Sequence, residues 1–166
     1  MPVKFTETFY NVGQGLFYSG LIKNYKQQLS FVYDCGSKSP NRGKILEDAI
    51  EEFSESFGDS TKKIDLLVIS HFHADHVNGL EKLLDMAEVN TVVIPYFPPI
   101  VRLYYALANP GQDKWYYEFL FDPVKYFLSR KEKIKKIILI FENSDADYNP
   151  VKSFIYFFYA APCFRA

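Results

Sequence analysis

Three histidines and an aspartate fall within six residues, His71-Phe72-His73-Ala74-Asp75-His76, and these are all the histidines the chain has. Neutral imidazole and carboxylate are ligands for first-row metals, and Zn²⁺ accepts both in a roughly tetrahedral shell. In an extended segment, side chains two apart point the same way, so His71 and His73 can grip one cation. Asp75 and His76 lie one turn further on and can face a second. Two cations roughly 3.5–4 Å apart share a water and lower its pKa, which yields a hydroxide nucleophile near neutral pH. They also neutralise charge on a phosphoryl or carbonyl oxygen in the transition state. The alternative is a polar loop whose histidines merely sit at the surface. Three imidazoles gathered from 166 residues into six positions weigh against it.

Such a cluster needs a rigid mount. The motif follows Ile64-Asp65-Leu66-Leu67-Val68-Ile69, an apolar run that reads as a buried strand. Before it, alternation over 3–10 predicts a half-buried strand, 16–22 a second and 27–34 a third ending in Asp34-Cys35-Gly36. Ile45, Leu46, Ala49, Ile50, Phe53 and Phe57 recur at helical spacing over 43–57. After the motif, 78–86 reads as a short helix and 90–94 as a strand. From Pro98-Pro99 the chain turns aromatic and helical, over 100–108 and 115–130. Asp122-Pro123 is an N-cap with proline at the first helical position, so the second stretch can divide into two helices. Strands at 134–141 and 153–160 flank an acidic loop at 142–150. Strands alternating with helices after a hairpin predict an α/β layered fold, with ligands at the C-terminal end of a buried strand. Nothing in the sequence marks a second domain. One domain over 1–166, with a helical aromatic insertion around 96–130, is expected.

Apolar residues make up 48% of the chain, which argues against disorder, and the net charge of −1 gives no global field to attract nucleic acid. A metal could supply that positive charge locally. Cys35 and Cys163 read as reduced thiols. The first residues lack the apolar core of a signal peptide, and no apolar run reaches the ~20 residues that span a bilayer. A cytoplasmic protein without membrane association is expected.

The segment Ser70-His71-Phe72-His73-Ala74-Asp75-His76-Val77-Asn78-Gly79-Leu80 resembles the metal-binding signature of the metallo-β-lactamase superfamily. Phe31-Val32-Tyr33-Asp34-Cys35-Gly36 resembles the family's earlier strand, which ends in Asp and then small-Gly. Asn11-Val12-Gly13-Gln14-Gly15 resembles the V-G-Q-G loop of the hydrolase domain in competence (ComEC-type) DNA-uptake proteins. That branch has Asp where this chain has Asn11 and Leu16. The resemblance implies an αββα sandwich and metal-dependent hydrolysis, with a nucleic acid or nucleotide phosphodiester as substrate. It assigns His71 and His73 to a first zinc, and Asp75 and His76 to a second, with Mn²⁺ as an alternative metal. Asp75 is thereby the candidate catalytic carboxylate. Asp34 is expected to orient the motif loop through hydrogen bonds rather than to ligate. The same motif serves ester, thioester and lactone hydrolysis, which stays open.

The family pattern also needs a third histidine for the first metal, a bridging aspartate and a further histidine. No histidine follows His76. The expectation is therefore the N-terminal half of the sandwich, with the site incomplete in this chain. A half-fold would leave an apolar face open to a protein partner or to self-association, and the Phe and Tyr surplus in 96–128 and 154–164 fits such a face. A catalytically inactive interaction module is the corresponding alternative; a satellite core is the alternative role for the aromatics. Asp145 or Asp147 could lend a carboxylate, or belong to a solvated loop. The run Arg130-Lys131-Glu132-Lys133-Ile134-Lys135-Lys136 could touch a phosphate backbone or end a helix. Gly13-Gln14-Gly15 could approach a substrate by its amides or form a plain tight turn.

Overall fold

A computed structural model describes residues 2–57, 62–130, 132–141 and 155–159. Strands β1 (Lys4–Phe9), β2 (Phe17–Lys23) and β3 (Gln28–Cys35) form an antiparallel meander. Helix α1 (Arg42–Glu55) then leads to β4 (Lys63–Val68). The short helices α2 (Ala74–Val77) and α3 (Leu80–Met86) lead to β5 (Glu88–Pro95). Three helices, α4 (Pro99–Ala108), α5 (Lys114–Phe121) and α6 (Pro123–Leu128), precede β6 (Ile134–Ile140), and β7 (Ile155–Tyr159) closes the order. The seven strands form one sheet in sequence order. β3, β4, β5 and β6 run parallel, and β7 returns antiparallel.

Every helix lies in a crossover between parallel neighbours, and the strands advance in one direction. Right-handed crossovers therefore put all the helices on the same face. Side-chain alternation records that face. Val32, Leu67, Val92 and Ile137 stand in register across four strands and are at most 1% exposed. Leu46, Ile50 and Phe53 of α1, Leu83 and Leu84 of α3, and Phe127 of α6 belong to the same core. The next row along each strand points the other way. There Tyr33 is exposed, while Val68, Val93 and Ile138 are half-buried.

The expected mixed α/β architecture is thus observed, as one sheet with a helical layer on one of its faces. Three local expectations need correction. β1 is not half-buried: Phe5 and Phe9 are 53% and 70% exposed, because the register with β2 puts them on the face opposite the helices. The helix expected from Asn78 starts earlier, inside the motif at Ala74, and is interrupted at Gly79. Arg130–Lys136 is not a helix end throughout, since β6 begins at Ile134. The division at Asp122-Pro123 is observed: Asp122 caps α6, its carboxylate accepting from the Lys125 amide at 2.9 Å. The aromatics of the helical stretch divide. Tyr105, Tyr116, Phe119, Tyr126 and Phe127 are buried, whereas Ile100, Leu103, Tyr104 and Leu107 leave one stripe of α4 exposed. Asp145, Asp147, Cys163 and the side chains of 154–164 lie outside the described residues. Among those residues, no helix is long and apolar enough to cross a membrane.

Candidate metal centre

The site grows from the C-terminal ends of β3 and β4, two parallel neighbours in the middle of the sheet. β4 ends at Val68, and Ile69 still bonds to Val93 of β5 at 2.9 Å. From Ser70 the backbone leaves the sheet. His73 is still extended, with φ −63° and ψ 144°, and α2 starts on the next residue. The motif is therefore half extended and half helical, which turns His76 back toward His71. Their ring centroids are 3.9 Å apart, and His71 and His73 are 5.0 Å apart.

Asp34 organises this cluster from β3. Its side chain is fully buried, and its φ of 57° is left-handed, a conformation that non-glycine residues seldom adopt and that Asp tolerates better than most. One carboxylate oxygen accepts from the Ser70 amide at 2.7 Å. The other accepts from the Ser70 hydroxyl and from His76 Nδ1, the latter at 2.8 Å. Ser70 Oγ also lies 2.8 Å from His71 Nδ1. A carboxylate only accepts, so His76 carries its proton on Nδ1. The Ser70 hydroxyl spends its proton on Asp34, so it accepts from His71, whose proton is likewise on Nδ1. Both rings are thereby left with Nε2 as the nitrogen that can offer a lone pair to a cation. One buried carboxylate fixes two tautomers, directly and through a hydroxyl, in the manner of the outer partners of metal-binding histidines.

Ligand atoms of Asp34, His71 and His76 come within 4.8 Å of one another. The Asp34 carboxylate already receives three hydrogen bonds, two from Ser70 and one from His76. His73 and Asp75 complete the expected set but do not join this tightest group. His73 is adjacent to His71, and Asp75 is near enough for its charge to act on it. The His71 pKa is lowered from its ordinary value, by burial first and then by the neighbouring His76 and His73; the carboxylates oppose this. An imidazole kept neutral is the form that binds metal.

Close backbone packing holds the motif against β3. A Cβ on Gly36 would lie 2.4 Å from the Asp75 carbonyl carbon and 2.6 Å from the His76 nitrogen. Gly15, at φ +135°, meets the Asp75 carbonyl in the same way, and the Leu16 amide bonds to it at 3.3 Å. The Gly13-Gln14-Gly15 turn is thus packed against the motif. Asn78 both accepts from the Ser37 amide (2.9 Å) and donates to its carbonyl (2.7 Å).

Ser70, Asn78, Tyr105, Asn109 and Tyr116 also shape the site, and the sequence reading assigned none of them a role. Ser70 and Asn78 flank the motif, so their position could have signalled them. The other three come from α4, α5 and the turn between, up to 44 residues from the motif, and only the fold brings them near.

This chain belongs to the metallo-beta-lactamase superfamily, which matches residues 18–139, from β2 through the motif into β6. It is also similar to the cGMP-dependent 3',5'-cGMP phosphodiesterase A of Dictyostelium discoideum, at 35% identity over 87 residues. That alignment covers 50% of this chain, and the chain spans only 10% of the relative's length.

Proposed function

We propose that this chain is a metal-dependent hydrolase that acts on phosphodiesters of nucleic acid or nucleotides. The observation that carries the reading is the approach of His71 and His76 around the buried Asp34, which with Ser70 fixes both tautomers so that Nε2 is free, with His73 packed beside His71. The donor set, imidazole nitrogen with a neighbouring carboxylate, suits Zn²⁺ and accommodates Mn²⁺. His71 and His73 would hold one cation, and Asp75 and His76 a second beside it. When bound, divalent cations supply an activated water near neutral pH and positive charge opposite a phosphoryl oxygen. Asp34 and Ser70 hold the His71 and His76 rings, and burial keeps His71 neutral.

Two similarities support phosphodiesters over acyl substrates. The similar protein from Dictyostelium is named for phosphodiester hydrolysis, and the Val12-Gly13-Gln14-Gly15 turn resembles the competence-type DNA-uptake branch. The test incubates the purified chain with Zn²⁺ or Mn²⁺ and three substrates: single-stranded DNA, cyclic GMP and an acyl thioester. Cleavage of either phosphodiester supports the reading. Hydrolysis of the thioester alone overturns it in favour of acyl chemistry.

The apolar side chains on the sheet face that no helix covers among the described residues favour a second reading, an interaction module that docks a partner there and gains its remaining ligands from that partner. An active, monodisperse monomer would eliminate it.

A further inference from the structure

The motif loop is gripped from a second side, by helices that hold none of its candidate ligands. Tyr105 of α4 is buried, and its ring meets His73 edge-on at 4.6 Å between centroids, with the planes at 85°. One turn later, the Asn109 side-chain carbonyl accepts from the Ala74 amide at 3.4 Å, while its amide donates to the Tyr105 carbonyl at 2.8 Å. From α5, the fully buried Tyr116 donates to the Phe72 carbonyl at 2.8 Å. Three consecutive motif residues, 72 to 74, thus take contacts from α4 and α5. Asp34 and Ser70 fix His71 and His76, but among the described residues no hydrogen bond fixes the ring of His73. Its ring contacts are edge-on with His71, at 5.0 Å, and with Tyr105, at 4.6 Å, and only Tyr105 comes from outside the motif.

We propose that Tyr105 is the positioning residue for His73, setting the imidazole's angle toward the metal as Asp34 sets that of His76. The inference rests on the metal-site reading above. Edge-to-face geometry is favourable because the positive rim of one ring meets the negative face of the other, and it restricts the ring to a narrow range of angles. The contribution belongs to the ring, not to the hydroxyl. Tyr105→Phe therefore keeps it, and an aliphatic side chain of similar bulk does not.

The test measures Zn²⁺ affinity by competition with a chromophoric chelator, and the visible absorption of the Co²⁺-loaded protein, for the full chain and its variants. Tyr105→Phe is expected to bind within about twofold of wild type with the same Co²⁺ spectrum. Tyr105→Leu is expected to bind roughly tenfold more weakly, with a shifted spectrum. Tyr105→Met keeps the apolar volume and is expected to behave like the Leu variant even if that one folds poorly. Leu46→Ala, a core truncation on α1 away from the motif, controls for general destabilisation and is expected to leave the spectrum unchanged. Wild-type affinity and spectrum in both aliphatic variants would overturn the assignment of Tyr105 alone. Failure of the wild-type chain to bind either metal would overturn it together with the metal-site reading.

Discussion

A carboxylate that receives two hydrogen bonds from Ser70 and one from His76 has few lone pairs to spare, which is why Asp34 is better placed to aim ligands than to be one. Asp34→Asn tests this cleanly, since Asn tolerates the same left-handed backbone. The variant is expected to fold but to lose about 10- to 100-fold in Zn²⁺ affinity, measured by chelator competition. Unchanged affinity would show that the tautomers are set by something else. The lowered pKa of His71 also has a consequence for stability. Between that lowered value and the ordinary 6.5, the unfolded chain binds more protons than the folded one. Stability of the metal-free protein therefore rises with pH through this window, is fully present above 6.5 and is lost as pH falls through the folded value. Urea midpoints are expected to be lower at about pH 5 than at about pH 7.5, and His71→Asn to narrow the gap. A His71→Asn gap as wide as that of wild type would assign the effect to other groups.

The elements that carry these residues were readable in the sequence to different degrees. β4 declared itself through a mostly apolar run, Ile64 to Ile69 with only Asp65 polar, and Asp122-Pro123 marked the junction of α5 and α6 by its capping chemistry. The start of α2 did not, because His73-Ala74-Asp75-His76 carries no helical periodicity and its helix depends on packing against β3. The approach of α2 to β3 depends on Gly36. Its substitution by Ala would drive a Cβ into the Asp75 backbone, where no side chain can swing away. Gly36→Ala is expected to destabilise by about 1–3 kcal/mol in denaturant titrations, the usual cost of overpacking. An unshifted midpoint would mean that the two segments separate at little cost. The contribution of α4 and α5 to the site could not be read from the sequence at all. Tyr105 and Tyr116 look like ordinary core aromatics, and only the crossover from β5 to β6 brings them onto the motif.

At the scale of the whole molecule, one sheet face is covered by helices and the other, among the described residues, is not. Phe5, Phe9, Ile22, Leu29 and Tyr33 are exposed on that second face. Large contiguous apolar surface marks interaction sites in general, so association through this face is the expectation to test. The sequence suggested an open face but placed it in the aromatic stretches. Much of the aromatic content of 96–128 is buried instead, and β1 to β3 supply the exposed side chains. Sedimentation velocity is expected to show concentration-dependent association of the chain. A Phe5→Lys, Leu29→Lys double variant is expected to raise the concentration needed by about tenfold or more, roughly 1.4 kcal/mol of association energy. A wild-type monomer at all concentrations would mean that the face is tolerated by solvent.

The proposed metal site rests on the imidazoles of His71, His73 and His76, which follow β4 beside Asp34 at the end of β3. Zinc K-edge X-ray absorption of the Zn²⁺-loaded chain reads that arrangement most directly. Scattering from two or three imidazole rings, with Zn–N distances of about 2.0–2.1 Å, is expected, and it should weaken in a His71→Ala, His76→Ala variant. A shell of oxygen ligands only, identical in wild type and variant, would contradict the account.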